Sequence, residues 1–180
     1  ILVVLFLTSC RVSKLIPEGD KVFLGSKISF DQSDSLSHQN LGALKTELTE
    51  VSRPLPNTTL FVKYPFKVLV HYAMLNRKSD KGIKAWIDKK LGEKPVKFNT
   101  SLLDKNKKNL NDYLKNKGYF NNSVQGNIEN VGKFSNADYI IKLNQRYLID
   151  SVLVVANNEP IGVDFKTIAL KNTIGKHFDL

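Results

Sequence analysis

The chain has 180 residues and carries 27 Lys and Arg against 17 Asp and Glu, a formal net charge of +10. Its single cysteine excludes an intramolecular disulfide, a CxxC redox pair and a multi-cysteine zinc site. The lysines are spread along the chain without an arginine-rich run. Nucleic acid is the usual partner of such a charge, but the secretion signal expected at the N-terminus makes a solvated helix face or an anionic membrane surface the cheaper explanation.

The first nine residues begin Ile1-Leu2-Val3-Val4-Leu5-Phe6-Leu7 and end Thr8-Ser9. This run is too short to span a bilayer, which takes about 20 residues, but it fits the end of a secretory signal's apolar region. Leu7, Thr8 and Ser9 then resemble a lipobox before Cys10, which implies a cysteine that is acylated at sulfur and becomes N-terminal on cleavage. The plainer alternative is a buried strand, for which Thr8-Ser9 followed by Arg11 is a poor continuation. Residues 1–9 are thus expected to be part of a lipoprotein signal peptide, and 10–20 a lipidated tether punctuated by Pro17 and Gly19.

Residues 21–30 alternate as a strand, with Val22, Leu24, Ile28 and Phe30 assigned to one face. After a polar loop, Leu41, Leu44, Leu48 and Val51 form the stripe of an amphipathic helix closed by Pro54 and Pro56. Residues 57–80 satisfy two periods. Val62, Tyr64, Phe66, Val68, Val70 and Tyr72 alternate like a strand, while Phe66, Leu69, Val70 and Ala73 fit a helix with Pro65 at its start. Ile83, Trp86, Ile87 and Leu91 predict a short helix. A longer one is predicted from Ser101, read as the cap with Asp104, to Lys117. It buries Leu103, Leu110, Tyr113 and Leu114 and ends on Gly118 as the left-handed residue. Three strands are expected next: one from Tyr119 to Ile128 with Phe120, Val124 and Ile128 on one face, one containing Tyr139, Ile141 and Leu143, and one over 147–155. A helix over about 164–172 follows.

No catalytic, cofactor or metal site is legible. His38, His71 and His177 are far apart without ligand-spaced neighbours, and HExxH, GxSxG, P-loop and GxGxxG patterns are absent. Glu47 and Glu50 read as solvated helix carboxylates, and Asp31-Gln32-Ser33-Asp34-Ser35 as a polar loop. Trp86, Phe61, Tyr64, Phe66 and Tyr72 are assigned to core or interdomain packing rather than to a ligand groove. No residue supports an enzyme.

The stretch from Lys107 to Phe120, ending Lys117-Gly118-Tyr119-Phe120, resembles the second helix and following strand of a POTRA domain. Gly92-Glu93-Lys94-Pro95-Val96-Lys97-Phe98-Asn99 and Gly175-Lys176-His177-Phe178-Asp179-Leu180 resemble the turn before that helix in two successive repeats. With the lipobox, and with Pro56-Asn57 inside an insert, the chain is similar to TamA-like lipoproteins, a BamA-related branch typical of Bacteroidota. The resemblance implies an α+β fold of tandem β-α-α-β-β units. The first would span 21–146 with an insert at about 53–100, and the second would start at 147–180 and be incomplete. It also implies a place on the periplasmic side of the outer membrane, and a C-terminal barrel outside this sequence. The implied partners are unfolded outer-membrane proteins or an inner-membrane-spanning assembly partner.

In such a module a strand edge accepts an extended client by β-augmentation, with main-chain pairing supplying most of the affinity. The expected edge is Tyr119, Phe120, Asn121, Asn122, Ser123, Val124 and Gln125, where polar residues leave the backbone accessible. The alternative is a free-standing basic lipoprotein that binds an anionic envelope component such as lipopolysaccharide or peptidoglycan.

Overall fold

A two-residue turn at Gly132-Lys133 folds the chain back on itself, and the sheet is built on that hairpin. The computed structural model describes residues 13–31, 41–59, 65–75, 82–151 and 175–176. A 3-10 turn (Ser13–Leu15) leads into β1 (Val22–Asp31). The helices α1 (Leu41–Val51), α2 (Phe66–Leu75), α3 (Ile83–Leu91) and α4 (Thr100–Asn116) follow, and then the hairpin of β2 (Ser123–Val131) and β3 (Phe134–Lys142). The architecture is mixed α+β, with strand order β1-β3-β2: β1 lies parallel to β3, and β2 antiparallel.

Central β3 alternates strictly, so that Ser135, Ala137, Tyr139 and Ile141 are buried on one face while Asn136, Asp138 and Ile140 point the other way. The buried face meets Leu44 and Leu48 of α1 and Leu103, Leu110 and Leu114 of α4. Burying each such leucine contributes about 1.5–3 kcal/mol.

The face assigned to β1 needs correction. Phe23 stands opposite Ser135 and Gly25 opposite Asn136, so Leu24 is an extra residue, a bulge. A one-residue slip exchanges faces. Phe23 therefore joins Ile28 and Phe30 in the main core, stacked on Phe98 at 4.5 Å, while Val22 turns to the opposite side. There Val22 and its register partner Phe134 meet Val68, Leu69 and Tyr72 of α2, with Leu15 and Ile16. Gly25 has φ +130°, and a Cβ there would touch the Pro56 ring at 3.4 Å. The sheet is thus covered by α1 and α4 on one face and, at its start, by α2 on the other.

Of the two periods open at 57–80, the helical one forms α2. The carbonyl of Pro65 accepts from the N–H groups of Val68 and Leu69 at 3.0 and 3.2 Å, and at this cap position the missing proline donor costs nothing. Phe61 and Tyr64 lie outside the described residues. Phe66 and Trp86, expected in packing, are 50% and 60% exposed.

The cap of α4 is Asn99, not Ser101. The Asn99 side chain accepts from the Leu102 N–H at 2.9 Å, and Asp104 pairs with Lys107 instead. At the other end Gly118 (φ +87°) completes a Schellman motif. Tyr119 N–H donates to Leu114 C=O and Gly118 N–H to Lys115 C=O, both at 2.9 Å. Of the strand expected over 147–155, residues 147–151 hold only a single bridge residue, Leu148. The remainder, and the helix expected over 164–172, fall outside the described residues. No helix among the described residues is long and apolar enough to cross a membrane.

Candidate functional site

The sheet has two outer strands, and their edges differ. The outer edge of β1 is taken at its start, where Phe23 N–H donates to Val96 C=O at 3.1 Å. Buried Asn57 holds that covering segment in place: its amide donates to Glu93 Oε1 and Lys94 C=O at 2.7 and 2.8 Å, and its oxygen accepts from Val96 N–H at 2.7 Å. Against β2 no such segment lies among the described residues, and no backbone outside the sheet bonds to it there.

The hairpin decides which β2 groups face outward. Across a two-residue turn, the flanking pair Val131 and Phe134 exchanges both of its hydrogen bonds. Alternation then turns the backbone of Ser123, Gln125, Asn127 and Glu129 toward β3. The N–H and C=O groups of Val124, Gly126, Ile128 and Asn130 point to the open edge.

Side chains flank this edge unequally. Val124 and Ile128 are half-buried against the core, and Gly126 lies flat on Tyr139, where a Cβ would come within 3.1 Å of the ring. Ser123, Gln125, Asn127 and Glu129 are exposed on the outer face. Glu129 accepts from Lys27 at 2.9 Å, and this contact holds its carboxyl below the usual range. Asp138, deeper in the same group, has its carboxyl pushed up by burial. Its Oδ1 is buried without a hydrogen bond, because Lys27 Nζ stays 3.8 Å away.

The residues expected at the edge divide into two groups. Ser123, Val124 and Gln125 lie in β2, but Tyr119, Phe120, Asn121 and Asn122 precede it and make a different structure. Tyr119 is buried beneath the Arg146 guanidinium, 5.8 Å from its ring centre. Phe120 meets Tyr147 edge-on at 5.3 Å, and Asn121 donates to the Tyr147 hydroxyl at 3.0 Å. With Tyr147 N–H donating to Gly118 C=O at 3.0 Å, the junction after α4 grips Arg146 and Tyr147. An adjoining cleft of about 400 Å³ is lined by Asn121, Asn144, Gln145, Arg146, Tyr147 and Leu148.

The Schellman motif is the cause of this correction. It turns the chain at Tyr119 before a strand can begin, so the aromatic pair serves the junction. The strand expected over Tyr119 to Ile128 took in Gly126 and Ile128, but the outward groups of Asn130 were missed, although Val131-Gly132-Lys133-Phe134 held the signal. A glycine in a two-residue turn fixes the register, and the register fixes which backbone groups face out.

Leu7, Thr8, Ser9 and Cys10 lie outside the described residues, as do His38 and His177. His71 is half-buried on α2 beside Tyr72. Among the described residues no cluster of three or more His, Cys, Asp or Glu side chains forms a metal site.

Comparison with known proteins gave no match: no family model, no curated protein and no solved structure matches this chain.

Proposed function

We propose that the chain is a non-catalytic, lipid-anchored docking module of POTRA type. In this reading it holds extended segments of outer-membrane proteins, or of an assembly partner, on the periplasmic side of the outer membrane by β-augmentation. The observation that carries this is the contrast between edges: β1 is covered at its start by the Val96 segment, whereas β2 leaves Val124, Gly126, Ile128 and Asn130 outward. Unpaired main-chain groups of this kind bind an extended chain with little regard to its sequence.

Tandem units are supported by a repeated hydrogen bond. Phe23 N–H donates to Val96 C=O, two residues before Phe98, and Ile149 N–H donates to Lys176 C=O, two residues before Phe178. The first bond joins the start of β1 to the segment ahead of Phe98-Asn99, and the second joins Ile149, next to the bridge residue Leu148, to the segment ahead of Phe178-Asp179. Residues from 147 onward thus read as the beginning of a second unit of the same plan.

The test places a photoreactive side chain at Gln125 and presents an unfolded outer-membrane barrel precursor. Crosslinking is expected with the parent and is lost on Asn130→Pro, which removes an outward N–H from an edge where proline is tolerated. Ser123→Pro does not serve this purpose, since the Ser123 N–H faces Lys142 on β3 and its loss leaves the outward edge groups unchanged. Undiminished crosslinking by a folded Asn130→Pro protein rules out the edge.

A further inference from the structure

The hairpin of α2 and α3 has an apolar surface that neither core uses. No described side chain of α3 belongs to either buried cluster. Glu93 N–H donates to Lys67 C=O at 3.2 Å, which sets the C-terminal end of α3 beside the N-terminal end of α2. Phe66 and Leu91 stand at these two helix ends, and they are 50% and 48% exposed. Leu75 and Trp86 are 61% and 60% exposed, and Lys89 and Lys90 stand exposed in the last turn of α3. Large apolar side chains interleaved with lysines make the composition of a membrane-interface helix, with tryptophan suited to the headgroup boundary and lysine stems able to reach outward.

The tether says what meets this surface. Leu15 and Ile16 pack on Val68, Leu69 and Tyr72 of α2, and Ile16 is 2% exposed. Two residues, Arg11 and Val12, separate Cys10 from Ser13, so the cysteine reaches at most about 11 Å from the turn that leads directly into that contact. An acyl anchor at Cys10 therefore keeps α2 close to the bilayer, together with the turn of the β2–β3 hairpin, where Lys133 Nζ donates to Pro17 C=O at 3.0 Å. We propose that the α2–α3 hairpin lies on the anionic lipid surface that carries the anchor, and so orients the sheet relative to the membrane. This rests on the reading of Cys10 as lipidated.

The chain itself supplies the probes, because Trp86 is its only tryptophan and Cys10 its only cysteine. Cys10 is coupled to a maleimide phospholipid in vesicles of phosphatidylethanolamine and phosphatidylglycerol that also carry a phospholipid brominated near the headgroup. Trp86 emission is expected to shift to the blue and to be quenched roughly twofold or more. Phe66→Glu with Leu91→Glu should restore it, and Lys89→Glu with Lys90→Glu should weaken it. Coupled, folded protein with unchanged Trp86 emission overturns the inference and leaves the hairpin for a protein partner. The anchor is read separately, from the mass of Cys10 in protein recovered from cells. A cysteine without acyl chains overturns the anchor, and the docking geometry with it.

Discussion

The side-chain amide of Asn106 on α4 donates to the hydroxyl of Tyr139 at 3.1 Å, tying a helix to the largest fully buried side chain of the central strand. The same amide donates to Arg53 C=O at 2.6 Å, and its oxygen accepts from Arg53 N–H at 3.1 Å. Asn106, 1% exposed, thus satisfies the backbone where the chain leaves α1. Asn106→Leu leaves these groups unpaired, at about 1–3 kcal/mol for each that stays dry. A loss of about 3 kcal/mol is expected in urea unfolding. A change under about 0.5 kcal/mol would show that water reaches them.

Gly126 and Asn106 act on the same ring. A Cβ at Gly126 would lie 3.1 Å from the Tyr139 ring and 3.2 Å from Leu103, and the ring cannot swing away while Asn106 holds its hydroxyl. Overpacking of about 1–3 kcal/mol outweighs the 0.5–1 kcal/mol or so gained by replacing a strand glycine. Gly126→Ala should therefore destabilise by about 1 kcal/mol, and less in an Asn106→Ala background. Strict additivity in the double-mutant cycle would mean that the ring is held by its packing alone.

Asp20 and Asp138 should respond oppositely to acid. The Lys97 and Tyr72 hydrogen bonds hold Asp20 below its ordinary value of 3.8. Its contribution is complete above that value and is lost as pH falls through the lower folded value. Burial holds Asp138 above 3.8, so its ionised form costs stability near neutrality, a cost relieved as pH falls through the raised folded value. At about pH 7, Asp20→Asn should lower the denaturant midpoint and Asp138→Asn should raise it, with both differences shrinking toward pH 3. The same sign for both would refute the assignment.

Tyr72 should set an alkaline limit. Burial, and then its bond to Asp20, push its hydroxyl from 10.0 up to about 12. The neutral phenol stabilises the fold fully below 10.0, and that stability is lost as pH rises through about 12. Tyr72→Phe should unfold with a flatter dependence on alkaline pH. Absorbance titration should show Tyr72→Phe losing one of the late-ionising tyrosines of the parent, which include Tyr119 and Tyr139, whose hydroxyls burial also pushes up.

Local chemistry was legible wherever one residue type serves one purpose. The leucine stripe of α1 and the glycine ending α4 stand where their spacing placed them. Asn99 was overlooked as a cap because Ser101 with Asp104 imitates the same pattern two residues later. At Lys117-Gly118-Tyr119-Phe120 the sequence announced the end of a helix but not that its aromatic pair would clasp Arg146 and Tyr147.

By itself the sequence determined the α+β character and most helices, because 3.6-residue and two-residue periods are properties of a segment alone. It determined also the presence of one cysteine behind an apolar run. Tertiary structure alone decided that Leu24 is a bulge, that 66–75 is helical, and that the Val96 segment crosses the start of β1's edge while β2 stays open among the described residues. Those outcomes depend on residues far apart in the chain: Pro56 against Gly25, Val96 against Phe23, and Asn57 holding residues 93–96. A local pattern carries no record of such partners. The free energy of an edge or a face is fixed only when the opposite surface arrives.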